Sequence, residues 1–273
     1  TMGADTYLQS RAEAQHTSSA TATSAAVREP RPSPLPRGSA AAESNLWPKV
    51  PKSLLRQVGR AVGDHGMIKE GDRLLLGLSG GKDSLTLLHA LYAMQKRAPI
   101  RFEIAACTID PQSEGFDPSP LKAYTAALGV PYFYESDAIM ERAAEQENLR
   151  SICSWCSRMK RGMLYSCMRR EGYNVLVLAQ HLDDLAESFM MSAFHNGRLN
   201  TMKAHYTIGA GDLRVIRPLI YTRERATREF AERGGLPVIV ENCPACFEGP
   251  KERYRVKTLL TSQEHLHPEV YNN

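Results

Sequence analysis

A short apolar run, Leu74-Leu75-Leu76-Gly77-Leu78, passes without a spacer into Ser79-Gly80-Gly81-Lys82-Asp83-Ser84 and then into a helical pattern. That junction limits what the chain can become. The run reads as a strand buried on both faces, and from Ser84 to Lys96 the residues Leu87, Leu88, Leu91 and Met94 share one side of a helix. In a strand, glycine turn, helix order, backbone N–H groups and the positive end of the helix dipole gather at the strand's carboxyl end, where they can receive an anion.

The same alternation continues. Strands are expected at Phe102 to Ile109, Tyr132 to Glu135, Val175 to Ala179 and Val238 to Val240, with helices at Pro118 to Leu128, Arg158 to Arg170, Leu182 to His195 and Arg223 to Arg233. Residues 196 to 216 give no clear period and read as a loop with a short strand. Strands and helices at this spacing predict an α/β fold, a mostly parallel twisted sheet with helices on both faces and ligands at the carboxyl ends of the strands.

Residues 1–45 are rich in Ala, Ser, Thr and Pro without hydrophobic periodicity, so a disordered tail is expected there. A helix at 46–66, with Pro51 ahead of Leu54, Leu55, Val58 and Val62, leads into a main domain at 67–262 and a C-terminal tail at 263–273. The absence of an apolar run of about 18 residues or of a secretory signal argues against a membrane span or export and for the cytoplasm. An organelle is the alternative, if the Arg- and Ser-containing tail is a transit peptide, although four acidic residues in it run against that pattern. The net charge of +4 permits a polyanionic partner, and Arg158, Lys160 and Arg161 concentrate positive charge on one helix.

In the Ser79–Ser84 loop, glycines let the main chain approach a phosphate, Lys82 neutralises it, and Ser79 and Ser84 offer hydroxyls. Leu76 stands where a Walker loop has its first glycine, and Asp83 follows the lysine in place of Ser or Thr. The loop resembles instead the pyrophosphate loop of PP-loop ATPases, which cleave ATP between its α- and β-phosphates, with Asp83 helping to hold Mg²⁺. Gln180-His181-Leu182-Asp183-Asp184 opens a later helix. Either His181 and Asp183 face the nucleotide and act in catalysis with Lys82 and Asp83, or the acidic pair complements the helix N-terminus. Asp110 and Ala179, at strand ends, are the other expected ATP contacts.

Four of the six cysteines form two Cys-x-x-Cys pairs, Cys153/Cys156 ahead of the basic helix and Cys243/Cys246 after the last strand. Such thiolates suit zinc, an iron–sulfur cluster or a dithiol redox pair. Cys107 and Cys167 read as buried thiols.

The loop SGGKDS, the run CSWCSRMKRGMLY, the HLDD element, VIRPLIYTRE and PVIVENCPAC together resemble the TtcA family of tRNA 2-thiocytidine synthetases, from residue 50 to about 260. The resemblance implies an ATP-dependent tRNA sulfurtransferase that adenylates the C2 oxygen of cytidine 32 in the anticodon loop and delivers sulfide from a 4Fe-4S cluster. It assigns Cys153 and Cys156 as two ligands and Cys246, or alternatively Cys243, as the third. A cysteine desulfurase or another sulfide donor would be a partner, and a homodimer fits the superfamily. The chain departs from the family's Gly-His-His at Ala179-Gln180-His181. Two rival readings are another PP-loop ligase or thiolase with a structural zinc, and a nucleotide- or tRNA-binding protein without turnover.

Overall fold

The computed structural model describes residues 47–113, 115–146, 152–239 and 252–271. The chain runs through α1 (Lys52–Asp64), β1 (Asp72–Gly77), α2 (Lys82–Gln95), β2 (Phe102–Asp110), α3 (Ser119–Leu128), β3 (Tyr132–Ser136) and α4 (Ile139–Ala144). It continues through α5 (Ile152–Glu171), β4 (Val175–Val177), α6 (Leu182–Asn196), β5 (His205–Thr207), β6 (Arg214–Ile216), α7 (Glu224–Arg233) and α8 (Glu252–Leu266). The strands form one sheet in the order β3-β2-β1-β4-β6-β5. All neighbours are parallel except β5 and β6. Among the described residues, no helix is long and apolar enough to cross a membrane.

Period-two alternation assigns the core. Leu74, Leu76 and Leu78 point to one face with Ile104, Ala106 and Val177, and α1, α2, α3 and α7 cover them through Leu54, Leu88, Leu121 and Phe230. Leu75 points to the other face with Ala105, Cys107, Leu176 and Val215, and α5 covers these through Leu164, Cys167 and Met168. Both Cys107 and Cys167 are thus buried core thiols.

Two expectations are corrected. The basic helix begins at Ile152 rather than Arg158, so Cys153 and Cys156 lie in its first turns instead of preceding it. Trp155, Met159 and Met163 recur at helical spacing against the sheet, and that packing extends the helix through a stretch with little intrinsic preference for it. Val238 and Ile239 belong to no strand; Leu236 to Ile239 is irregular, and Ile239 N–H donates to the Gly80 carbonyl at 2.9 Å. The β-branched run suited a strand, but its backbone partner is the glycine turn, and the sheet gains β6 and β5 from the region that showed no period. Cys243, Cys246, the tail at residues 1–45 and Val240 lie outside the described residues.

At the amino edge, Asp72 ties three strands together. Its carboxylate accepts from Lys69 N at 2.7 Å and Asn174 Nδ2 at 3.0 Å and pairs with Arg214, while only 4% of the residue is exposed. Removing one member of a buried pair leaves an uncompensated charge, at a cost of about 3–5 kcal/mol. Asp72→Ala should lower the urea midpoint accordingly while leaving nucleotide affinity near that of the parent, because the network lies at the opposite edge from the glycine turn.

Candidate nucleotide and thiolate site

The chain leaves β1 in one direction to build β2 and β3, then returns to the other side of β1 with β4. The crevice between the carboxyl ends of β1 and β4 is therefore the topological switch point, where open α/β sheets bind ligands. Both motif loops empty into it.

After β1, Gly80 adopts φ +87° and Gly81 caps α2. Ser79 Oγ lies 3.3 Å from Ser84 Oγ and accepts from Gly81 N at 3.3 Å, and Ser84 Oγ donates to the Gly81 carbonyl at 2.9 Å. Thr108 braces the turn from β2 by donating to the Leu78 carbonyl at 2.7 Å. These bonds fix a turn whose first-turn amides open toward the crevice, an arrangement that suits a phosphate.

Lys82 Nζ reaches Asp83 Oδ2 at 2.9 Å and Glu224 Oε1 at 3.1 Å. Burial works against its charge, but the two carboxylates outweigh burial and raise the ammonium above the ordinary lysine range. Asp83 also accepts from the Thr227 hydroxyl. Glu224, the first residue of α7, contacts Lys257 at 2.6 Å and Arg228 at 3.0 Å. Burial raises its carboxyl, yet Lys257 and Lys82 bring it down from 4.5 to about 2.

After β4, His181 caps α6 in a reciprocal box. Its Nδ1 accepts from Asp184 N at 3.3 Å, and its own N–H donates to Asp184 Oδ2 at 3.1 Å. An accepting Nδ1 puts the neutral ring's proton on Nε2, and that atom faces Asp83 Oδ2 at 3.8 Å. Asp183 is engaged elsewhere: it accepts from Glu224 N at 2.7 Å and Arg223 Nε at 3.1 Å, so it caps α7 and joins the two helices at the crevice. Asp184 and Glu187 receive Arg253 of α8 at 3.4 and 2.9 Å. The structure thus brings Ser79 to Ser84, His181 and Asp183 together. Asp110 ends β2 and accepts from Gln112 N at 2.7 Å and from the Tyr134 hydroxyl, which commits its oxygens to a turn and to β3. Ala179 is half-buried between β4 and α6 and packs on the first core face.

The α5 N-terminus lies at the same edge. Leu164 comes within 3.4 Å of where a Cβ on Gly77 would stand, and Cys156 lies two turns, about 12 Å, further toward the carboxyl edge. Cys153 is exposed and Cys156 half-buried, spaced i and i+3 so that both share a helix face. Two thiols so placed fit two ligands of a metal centre; among the described residues no group of three ligating side chains forms. Arg158 is exposed on this helix, and Lys160 and Arg161 are half-buried.

Glu224 and Thr227 carry no motif of their own in the sequence, and Arg223 and Arg253 stand there only as a helix start and as part of a basic C-terminal stretch. The first three stand in or just beyond the VIRPLIYTRE segment, and their signal was a charged pair opening a helix after a strand end.

Two outcomes follow from this geometry. A Cβ on Gly80 would meet Ile239 Cδ1 at 3.0 Å in a backbone conformation strained for L-residues, so Gly80→Ala should abolish measurable ATP binding in calorimetry and lower the melting temperature. The folded-state value of Glu224 lies below its ordinary one, so its stabilising contribution is present above pH 4.5 and fades as pH falls toward 2; Glu224→Gln should flatten stability against pH across that interval.

The sequence matches the PP-loop domain family over residues 51–245. It is 39% identical over 223 residues to the tRNA-cytidine(32) 2-sulfurtransferase of Geobacter sulfurreducens, covering 80% of this chain and 86% of that protein. It is 39% identical over 222 residues to the protein of the same name from Stenotrophomonas maltophilia strain R551-3, covering 81% of this chain and 74% of that one. Among solved structures it resembles the U34-tRNA thiolase NcsA from Methanococcus maripaludis, determined with its 4Fe-4S cluster, with a TM-score of 0.67 at 22% identity over 81% of this chain and 74% of that chain. The last likeness is one of fold. Together with the loop at the β1–β4 crevice, these matches place the chain in the PP-loop family, among the tRNA-cytidine(32) 2-sulfurtransferases.

Proposed function

We propose that the protein is an ATP-dependent tRNA sulfurtransferase that 2-thiolates cytidine 32 of the anticodon loop. The observation that carries this reading is the shared edge: a phosphate-binding turn at the switch point and a pair of helix-borne thiols above the same strand ends. The names of its relatives supply the substrate.

The chemistry divides between two bond exchanges. The C2 oxygen of the base attacks the α-phosphorus, the bond to the β-phosphate breaks, and pyrophosphate leaves. Sulfide then attacks C2, and the C2–O electrons depart with AMP. An amide-like oxygen leaves poorly by itself, which is why it is first made part of AMP. The first-turn amides of α2 and Lys82 stabilise charge gathering on the phosphates, and Asp83 would hold Mg²⁺ against them. His181 stands beside Asp83, its Nε2 3.8 Å from Oδ2 and so beyond a direct hydrogen bond, placed to meet the nucleotide; Asp183 fixes α7 and with it Glu224. Holding base, ATP and sulfur at one edge turns encounters into an intramolecular step.

A 4Fe-4S cluster held by Cys153, Cys156 and a third thiol would carry the sulfide to be transferred. Cys243 and Cys246 follow Ile239, which bonds to Gly80, by four and seven residues in the sequence. Cys246 is the preferred third ligand, with Cys243 the alternative. Arg158, Lys160 and Arg161 would meet the tRNA backbone. We assign residues 67–262 to the catalytic domain, the cytoplasm as the place of work, a cysteine desulfurase or other sulfide donor as partner, and a homodimer as the assembly.

Mass spectrometry of tRNA nucleosides from cells lacking the protein should show loss of 2-thiocytidine, and an unchanged thionucleoside profile refutes the assignment. Lys82→Ala should lower kcat/KM for thiolation by about 100-fold or more. Cys153→Ala should remove the broad visible absorbance of anaerobically purified protein while leaving ATP affinity intact; a colourless parent protein carrying stoichiometric zinc would instead favour a structural metal.

A further inference from the structure

Buried charges in folded proteins are normally paired with opposite ones, because an isolated ion loses hydration without recompense. Arg217, the residue after β6, has no such partner among the described residues. It is 5% exposed, and its guanidinium donates to Gln180 Oε1 at 2.9 Å and to the Lys203 carbonyl at 2.5 Å, both neutral acceptors. Its Cζ lies 5.7 Å from the centre of the Tyr206 ring. Tyr165 and Arg161, one turn apart on α5, also meet the Tyr206 hydroxyl. Arg161 also pairs with no carboxylate among the described residues.

The electrostatics of the cluster follow. Burial, with Arg161 adding repulsion, holds Arg217 below the ordinary arginine range, although the Tyr206 phenol opposes this. Burial raises the Tyr206 phenol, but Tyr165 and the two guanidiniums outweigh it and bring Tyr206 below the ordinary tyrosine range. Two cations converging on one phenol beside half-buried aromatic rings make a site short of negative charge. Its place is informative. Arg217 follows a strand two positions from β1, roughly 10 Å along the sheet from the glycine turn, and Arg161 stands five residues after Cys156, about 7.5 Å along α5.

We propose that Arg161, Tyr206 and Arg217 form a seat for an RNA phosphodiester and the base beside it, on the β6 side of the nucleotide crevice. The proposal rests on the tRNA reading given above. An RNA strand fits better than the phosphates of ATP, since Lys82 and the α2 amides already serve those. The rings of Tyr165 and Tyr206 offer faces on which an unpaired base can stack, and the cluster continues the basic surface begun by Arg158 and Lys160.

The test measures unmodified tRNA binding to the full chain by fluorescence anisotropy over a salt series, with ATP binding by calorimetry in parallel. Arg161→Gln and Arg217→Gln should each weaken tRNA binding about tenfold and reduce the slope of log affinity against log salt by about one, with ATP affinity unchanged. Tyr206→Ala should lose about tenfold and Tyr206→Phe should retain binding, because the ring and not the hydroxyl stacks. If Arg217→Gln fails to fold by its melting curve, Arg161→Gln and the Tyr206 pair decide. Unchanged tRNA affinity and slope in these variants overturns the proposal, as does loss of ATP affinity in place of tRNA affinity. A parent protein that binds ATP but no tRNA overturns the sulfurtransferase reading itself, an outcome separate from the first two.

Discussion

Two parallel strands that are neighbours in space but not in sequence leave a gap at their carboxyl ends when the chain continues from them toward opposite edges of the sheet. In this protein those strands are β1 and β4, joined at Leu74 to Val175, Leu75 to Leu176 and Leu76 to Val177. The gap is flanked by the N-termini of α2 and α6, whose dipoles both favour negative charge there. Everything chemical in the molecule is arranged around that gap.

Around it the protein has assembled acids and bases in near balance. Lys82 is held by Asp83 and Glu224; Glu224 is held by Lys257 of α8; Asp183 by Arg223; Glu187 and Asp184 by Arg253. Helix α8 contributes only Val256 and Leu260 to the buried core, so its attachment to the crevice is largely ionic. Polar groups clustered at such density would be costly if scattered in an apolar interior, and they are tolerated because each is paired and stands at the rim, where the effective dielectric is higher. The consequence for function is positional: Lys82 and Asp83 are fixed before any ligand arrives, so little reorganisation remains when phosphate charge develops.

Helix α5 links the second chemistry to the first. Its middle packs on the sheet through Leu164 and Cys167, its start carries Cys153 and Cys156 above the strand ends, and its flank presents Arg161 and Tyr165 toward β5 and β6. One rigid element thus sets the spacing between the thiols, the basic surface and the nucleotide turn. A change in the α5 core contacts is therefore expected to alter all three relations together.

Much of this was legible in the residues. The apolar run Leu74 to Leu78 and the glycines after it required a buried strand, a turn with positive φ and a helix N-terminus, because those constraints are local and the backbone can meet them in few ways. The alternation of strands and helices likewise set the parallel sheet, since a crossover helix is what parallel neighbours need. What the sequence could not decide was pairing across distance. Whether Val238 and Ile239 joined the sheet or lay on Gly80, whether Asp183 faced a ligand or capped α7, and that Glu224 would meet Lys82 all depend on elements far apart in the chain. Local propensity determined the elements and the phosphate turn; tertiary packing alone decided which charges met, because side-chain pairing energies are small and are settled only once the core has fixed the distances between them.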